Sequence, residues 1–214
     1  MSELENFYNE RKLETEKFIL LLKKLDEIDE YTSDMPILKS QAILMMYNLI
    51  EGTVNKGLEY IFDTISNNNL KHHELNEHIR IIWMRYFKLH LDDGGQNRNR
   101  LIDFDIFMND SVDIDIKKFR KINPNYFSGG SLDSKEIKKI LKKFFIDLDS
   151  SEYKLKEIKD NRNFLAHGEK SFTEVSQSET VLDIEETQNK VFVFLEKYIE
   201  EIEKYICEAK YKKL

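Results

Sequence analysis

An arginine, an asparagine and a histidine lie close together in the segment RNFLAHG, which runs from Arg162 to Gly168. Arg162 and Asn163 are adjacent, and three residues separate the asparagine from His167. A histidine can take up and release protons near neutral pH. An arginine can stabilise negative charge that develops on phosphoryl oxygens. These residue types could therefore act together on a phosphodiester, although an ordinary helix end could also contain them.

The spacing of the arginine and the histidine carries little weight by itself. With seven arginines and five histidines in 214 residues, an arginine followed four to six positions later by a histidine is expected about 0.5 times by chance. The segment RYFKLH, from Arg85 to His90, has the same spacing, and we interpret it as a snorkelling arginine and a histidine near a helix end. The stricter pattern that includes Asn163 is expected only about 0.01 times. The asparagine therefore distinguishes the Arg162–His167 pair from the Arg85–His90 pair, which we call the decoy pair.

The positions of these residues on a helix add a constraint. On an ideal helix Arg162 and His167 are 140° apart around the axis, whereas Asn163 and His167 share a face. An arginine and a histidine so placed can meet through the length of the arginine side chain, through an unwound last turn, or through a second copy of the helix. His167 also ends the helix, where the helix dipole favours a protonated imidazole.

Apolar residues recur every three or four positions along most of the chain and predict an all-α bundle of about six helices. Asp133 with Glu136 and Asp183 with Glu186 have the spacing of capping boxes, and Gly168 is a typical helix stop. The predicted helices cover 4–30, 36–66, 74–91, a stretch that begins after Asp133, 152–167, and a last helix from Asp183 towards the C-terminus. We expect one domain over residues 1–214.

The period changes to two within residues 93–130. Apolar residues alternate in LIDFDIF and again in SVDIDI, with MNDS between them. This pattern predicts a small β-hairpin inserted into the helical body. We expect this insertion to determine specificity, because it departs from the helical scaffold.

Charge is unevenly distributed along the chain. The net charge is −7, yet residues 98–143 contain eleven Lys or Arg and seven Asp or Glu, a local excess of +4. One helix face in this region is basic and could contact a phosphate backbone. Tyr126 and Phe127 beside it could stack on unpaired bases. The basic face consists of Lys135, Lys138, Lys139, Lys142 and Lys143.

Composition excludes several classes of protein. No apolar run approaches the roughly 20 residues of a membrane span, and the charged N-terminus does not resemble a signal peptide. The single cysteine, Cys207, cannot form an internal disulfide, which fits a cytoplasmic protein. His72, His73 and His78 with two nearby glutamates are more typical of a solvated helix start than of a metal site. We expect neither a metal nor another cofactor.

The segment RNFLAHG, placed on the next-to-last helix of an all-α chain, resembles the Arg-x4–6-His motif of the HEPN superfamily. The segments ILKSQAILMMYNLIEGTVNKGLEYIFDTI and SGGSLDSKEIKKILKKF also resemble stand-alone HEPN proteins of bacterial conflict systems, and the likeness spans roughly residues 35–210. It implies a helical domain that dimerises and often acts as a metal-independent endoribonuclease. One subgroup has a tyrosine two residues after the histidine and is regulated by nucleotidylation of that tyrosine. This chain has Glu169 at that position, so we do not expect the same regulation.

The resemblance implies an RNase with Arg162, Asn163 and His167 in a composite site between two protomers. We expect a toxin or antiphage effector, with a cognate antitoxin or another conflict-system protein as a possible partner. Glu51 falls within the apolar arc of the second helix and is either a rim glutamate or a partner that fixes Arg162. The alternative function is a catalytically inactive HEPN-like module that binds RNA, a nucleotide or a protein.

Overall fold

The structure is a computed structural model that describes residues 1–92, 105, 107–122, 131–148 and 155–213, with only the backbone described at 88–92, 120 and 122. Helices dominate these ranges, so the prediction of an all-α fold is confirmed. No helix in them is long and apolar enough to cross a bilayer. The α-helices are α1 (Glu3–Asp26), α2 (Met35–Asn67), α3 (Glu77–Asp92), α4 (Ile116–Ile122), α5 (Ser134–Lys142), α6 (Leu155–His167), α7 (Phe172–Ser176) and α8 (Val181–Cys207).

The long helix α2 forms where its apolar period predicts. Its stripe of aliphatic and aromatic side chains is buried along the whole length of the helix, and burial of such side chains contributes about 1.5–3 kcal/mol each. The stripe consists of Ile43, Tyr47, Ile50, Val54, Leu58, Ile61 and Ile65, each no more than 4% exposed.

The chain forms two compact units, and α2 contributes residues to both. The first unit contains Met1–Lys56, Ser131–Ile137 and Asp149–Ile199, and its buried core includes Tyr8, Tyr47, Phe194 and Tyr198. The second unit contains Gly57–Gly130, Lys138–Leu148 and Glu200–Leu214, and its core includes Phe62, Phe119, Phe144 and Tyr205. A single domain over residues 1–214 stays a prediction.

The predicted hairpin does not appear in the part of it that the structure describes. Residues 107–109 are helical, and Ser111 forms only an isolated bridge with Lys71. Val112 and Ile114 are buried while Asp113 is exposed, so the alternation is real. It arises from a single extended stretch with one face buried in the second unit, and none of the described residues forms a hairpin partner strand for it. Residues 101–104 and 106, which complete the first predicted strand, lie outside the described residues.

The start of α8 also differs from its prediction. The expected capping box of Asp183 with Glu186 lies inside the helix, because α8 begins at Val181. The N-terminus is capped one turn earlier, where the Asp183 N–H donates to Thr180 Oγ1 at 3.1 Å and the Thr180 N–H donates to Asp183 Oδ2 at 2.9 Å. Asp183 is therefore the third residue of the box rather than its cap.

Candidate active site

The motif helix α6 is buried only at its beginning. Leu155 and Ile158 are buried, residues 161–165 are half-buried, and Ala166 and His167 are exposed. The helix ends at Gly168, which has φ +70° and donates its N–H to the Leu165 carbonyl at 3.3 Å. The Glu169 N–H donates to the Phe164 carbonyl at 2.9 Å, which completes a Schellman motif. The predicted stop at Gly168 is confirmed, and the motif lies at the surface of the first unit.

Two side chains hold the Arg162 guanidinium. Its Cζ lies 4.8 Å from the centre of the Tyr47 ring, a cation–π distance, and its Nη1 donates to Asn163 Oδ1 at 3.1 Å. Tyr47 is fully buried and forms a fixed platform on α2. A guanidinium carries five N–H groups, so most of its donors have no protein acceptor within the described ranges. They remain able to bind an anionic group.

Asn163 connects the arginine to the segment that precedes α5. Its Nδ2 donates to Ser131 Oγ at 3.0 Å, while its Oδ1 accepts from Arg162. Leu132, which follows Ser131, is held as well, because its N–H donates to the Tyr47 hydroxyl at 3.3 Å. Asn163 therefore links Arg162 to residues 131–132. Through Leu132, this segment also contacts Tyr47, the ring against which the guanidinium lies.

Asp133 completes this attachment of residues 131–133 to α6. Its Oδ2 accepts from Lys159 Nζ at 2.7 Å, and its Oδ1 accepts from the Glu136 N–H at 2.9 Å, which confirms it as the cap of α5. Burial raises the pKa of the Asp133 carboxyl, but the hydrogen bonds from Lys159 and from the backbone outweigh it and hold this pKa below its ordinary value. The hydrogen bond to Asp133 likewise raises the pKa of Lys159. The carboxylate is thus ionised and paired at neutral pH.

His167 is exposed and takes part in no hydrogen bond or ion pair within the part of the chain that the structure describes. Because α6 remains helical through His167, an unwound last turn does not bring it towards Arg162. The offset of 140° on an ideal helix remains. Two routes to convergence are left, namely the reach of the arginine side chain and a second copy of the helix.

Glu51 is half-buried one helical turn after Tyr47. The described residues show no ion pair between Glu51 and Arg162, and the contacts of the guanidinium are made by Tyr47 and Asn163 instead. A role for Glu51 in fixing the arginine stays a prediction. Sequence reasoning missed Tyr47 and Ser131, and the available signal was that a tyrosine on a buried stripe needs a partner for its hydroxyl.

The basic face predicted on α5 is divided between the two units. Lys135 belongs to the first unit, and the other four lysines belong to the second. Lys135, Lys139 and Lys142 are exposed, whereas Lys138 and Lys143 are half-buried. Tyr126 and Phe127 lie outside the described residues, as does the side chain of His90 in the decoy pair.

The histidines near the start of α3 differ in their surroundings. His72 is buried against Phe107, with ring centres 4.7 Å apart, and its pKa is lowered by burial and then by Arg80 and His73. His78 Nδ1 donates to the Lys143 carbonyl at 2.9 Å. Within the described ranges no three His, Cys, Asp or Glu side chains form a group that could hold a metal ion.

Comparisons with known proteins identify the family to which the chain belongs. No curated protein and no solved structure matches the chain. The family model described as MAE_28990-like HEPN matches residues 1–211, which is almost the whole length of 214 residues. The chain that carries Arg162, Asn163 and His167 on α6 is therefore a member of the HEPN superfamily, within the MAE_28990-like HEPN family.

Proposed function

We propose that this protein is a metal-independent endoribonuclease whose active site contains Arg162, Asn163 and His167. HEPN membership supports this proposal because many HEPN domains are RNases. The observation that carries it furthest is the arrangement at the end of α6. Tyr47 and Asn163 fix Arg162, and most of its N–H groups have no acceptor among the described residues. The solvent-exposed His167 follows on the same helix.

The chemistry of cleavage follows from these side chains. A His167 imidazole accepts the proton of an RNA 2′-hydroxyl, and the 2′-oxygen attacks the adjacent phosphorus. The bond from phosphorus to the 5′-oxygen breaks, and a second histidine protonates that oxygen as it leaves. Arg162 stabilises the charge that develops on the phosphoryl oxygens. The products are a 2′,3′-cyclic phosphate and a 5′-hydroxyl, and DNA is not a substrate because it lacks the attacking hydroxyl.

A homodimer supplies the second histidine. In a two-fold symmetric interface the same surface of each protomer meets its copy, so two α6 helices can approach one another. Phe164 and Leu165 lie within the motif and are half-buried, so part of their apolar surface is available for such a contact. The 140° offset also favours a pairing of Arg162 from one protomer with His167 from its partner over a pairing within one helix.

The direct test of this function is the incubation of purified protein with total RNA in EDTA. We expect cleavage, RNA ends that carry 2′,3′-cyclic phosphate and 5′-hydroxyl groups, and intact DNA of the same sequence in a parallel reaction. A failure to cut RNA in EDTA, or equal cutting of DNA, contradicts the proposal.

The biological setting that we propose is a bacterial toxin or antiphage effector, with an antitoxin or another conflict-system protein as partner. Such an effector harms the cell that makes it. Expression of the wild-type chain in a bacterial host should therefore arrest growth, while expression of the His167→Ala chain to the same level should not. Equal growth of both strains contradicts the toxin role.

Asn163 should act by positioning Arg162. We expect Asn163→Ala to lower kcat by about 10- to 100-fold with little change in KM, because a misplaced guanidinium loses contacts made in the transition state. The variant Asn163→Asp keeps an oxygen for Arg162 and should recover part of the rate. Asn161 is also half-buried on α6, and its hydrogen-bonding groups contact neither Arg162 nor Ser131, so Asn161→Ala is the matched control. Equal rates for the two alanine variants would remove Asn163 from the site.

A further inference from the structure

The second unit presents an exposed phenylalanine in a backbone conformation that normally selects glycine. Phe145 has φ +57° and is 64% exposed. The Phe145 N–H donates to the Lys142 carbonyl at 3.2 Å, and the Ile146 N–H donates to the Leu141 carbonyl at 3.1 Å. This is the same Schellman motif that ends α6, with Phe145 in the place that Gly168 takes there.

This placement is unfavourable for stability on two grounds. A bulky side chain in the left-handed region is strained, and a large apolar ring is left in water. The neighbours on either side are buried, since Phe144 packs edge-on against Phe62 at 5.8 Å and Ile146 is 4% exposed. The chain therefore turns Phe145 outward between two core residues, and strained conformations of this kind concentrate at functional positions.

The ring of Phe145 is supported from within the same unit. The centre of the His78 ring lies 3.6 Å from it, and the Nδ1 of His78 donates to the Lys143 carbonyl at 2.9 Å. One histidine thus caps the end of α5 and lies against the exposed ring. Phe145 is consequently a platform that is held in place.

Lysines are concentrated in the sequence just before this platform. Lys138, Lys139, Lys142 and Lys143 lie within the seven residues before Phe145, and the exposed carboxylate nearest in sequence is Asp147. One aromatic ring among charged residues is too small an apolar area for a typical protein interface. Aromatic rings beside lysines are, by contrast, the usual combination for unpaired nucleic acid, where bases stack and phosphates meet the ammonium groups.

We propose that Phe145, supported by His78 and flanked by these lysines, binds single-stranded RNA by stacking on an unpaired base. This inference rests on the proposed function only in its choice of RNA. It assigns a binding surface to the second unit, whereas cleavage is assigned to Arg162, Asn163 and His167 in the first. The lysines bind the phosphates on either side of the stacked base.

The test uses the full-length His167→Ala protein, which should leave the probe intact, and a short fluorescein-labelled oligouridine whose Kd is measured by anisotropy. We expect Phe145→Leu to weaken binding by about 5- to 150-fold, the range that corresponds to loss of one stacked base. Phe145→Tyr keeps the ring and should bind within about twofold of the parent. Lys142→Ala should make the slope of log affinity against log salt concentration shallower by about one, the amount expected for the loss of one phosphate contact.

A further variant separates stacking from folding. Phe145→Gly should weaken binding as much as Phe145→Leu while its melting temperature stays equal or rises, because glycine suits this backbone conformation. Leu182 is 67% exposed and lies in the first unit, so Leu182→Ala is the control for loss of an exposed apolar side chain.

The possible failures can be told apart. If the parent binds the oligouridine and the Phe145 variants bind it equally well, the surface assignment is wrong and the proposed cleavage is untouched. If binding depends on Phe145 but the wild-type protein does not cut RNA, the surface is supported and the nuclease proposal is wrong. If the parent does not bind the probe at all, the surface assignment is overturned, and the nuclease proposal is decided by the cleavage assay on total RNA.

Discussion

Replacement of His167 by alanine is expected to lower the rate of RNA cleavage by about 10²- to 10⁴-fold, the usual contribution of a general acid or base. The loss should come without loss of folding, because His167 is exposed at the end of α6 and contacts no hydrogen-bonding group in the described part of the chain. The measurement is the initial rate on a defined single-stranded RNA in EDTA. Circular dichroism and sedimentation should give the same helix content and the same oligomeric state for both proteins.

The decoy pair provides the control for this substitution. Arg85 and His90 match the loose spacing of the motif without the asparagine, so His90→Ala should leave the rate essentially unchanged. Equal activity of wild-type and His167→Ala proteins would show that His167 is not catalytic. Equal inactivity of both would favour a module that binds RNA, a nucleotide or a protein without cutting.

The second large effect concerns stability. We expect Asp133→Ala to lower the free energy of unfolding by about 3 kcal/mol. The substitution removes the cap of α5 and leaves Lys159, whose side chain is 18% exposed, without its closest carboxylate. Urea denaturation at neutral pH measures the difference.

The matched control is Asp160→Ala on the same lysine. Asp160 lies 3.7 Å from Lys159 Nζ and its side chain is 40% exposed, so its loss should cost about 0.5 kcal/mol or less. Similar losses for the two variants would show that the Asp133 pair does not hold residues 131–133 on α6.

The Asp133–Lys159 pair also predicts how the free energy of unfolding depends on pH. The pKa of Asp133 is lower in the folded state than its ordinary value of 3.8, so its stabilising contribution is present above that ordinary value. It is lost as the pH falls through the folded-state pKa. The stability difference between wild type and Asp133→Asn, followed by urea denaturation, should therefore shrink in acid. A difference that grows as the pH falls would contradict the assignment.

Local patterns in the sequence predicted the features that local chemistry determines. The apolar period of α2, the stop at Gly168 and the cap at Asp133 all depend on neighbours within one or two turns. The predicted hairpin is not seen among the described residues, and the reason is physical: Val112 and Ile114 alternate with polar residues because one face of an extended stretch is buried. Alternation reports burial on one face and does not report a partner strand.

Long-range contacts account for what the sequence did not reveal. The helical wheel correctly identified the face of α2 that carries Tyr47 and Glu51, which are one turn apart, but the structure places the tyrosine against Arg162. No local pattern in the sequence specifies that Tyr47, and not Glu51, contacts Arg162. Phe145 could not be anticipated either, because a run of apolar residues at a helix end does not show which of them points outward.

The central claim is that two protomers complete one active site, and a mixing experiment tests it most directly. Wild-type protein and the double variant Arg162→Ala/His167→Ala are unfolded together in equal amounts, refolded and assayed on RNA. If each site takes its arginine and a histidine from different protomers, a mixed dimer has no intact site and only the wild-type dimers, a quarter of the total, are active, so activity should fall to about a quarter of that of the same total amount of wild-type protein. A mixture that contains mixed dimers and keeps about half of that activity, one active site for each wild-type protomer, would contradict the composite site.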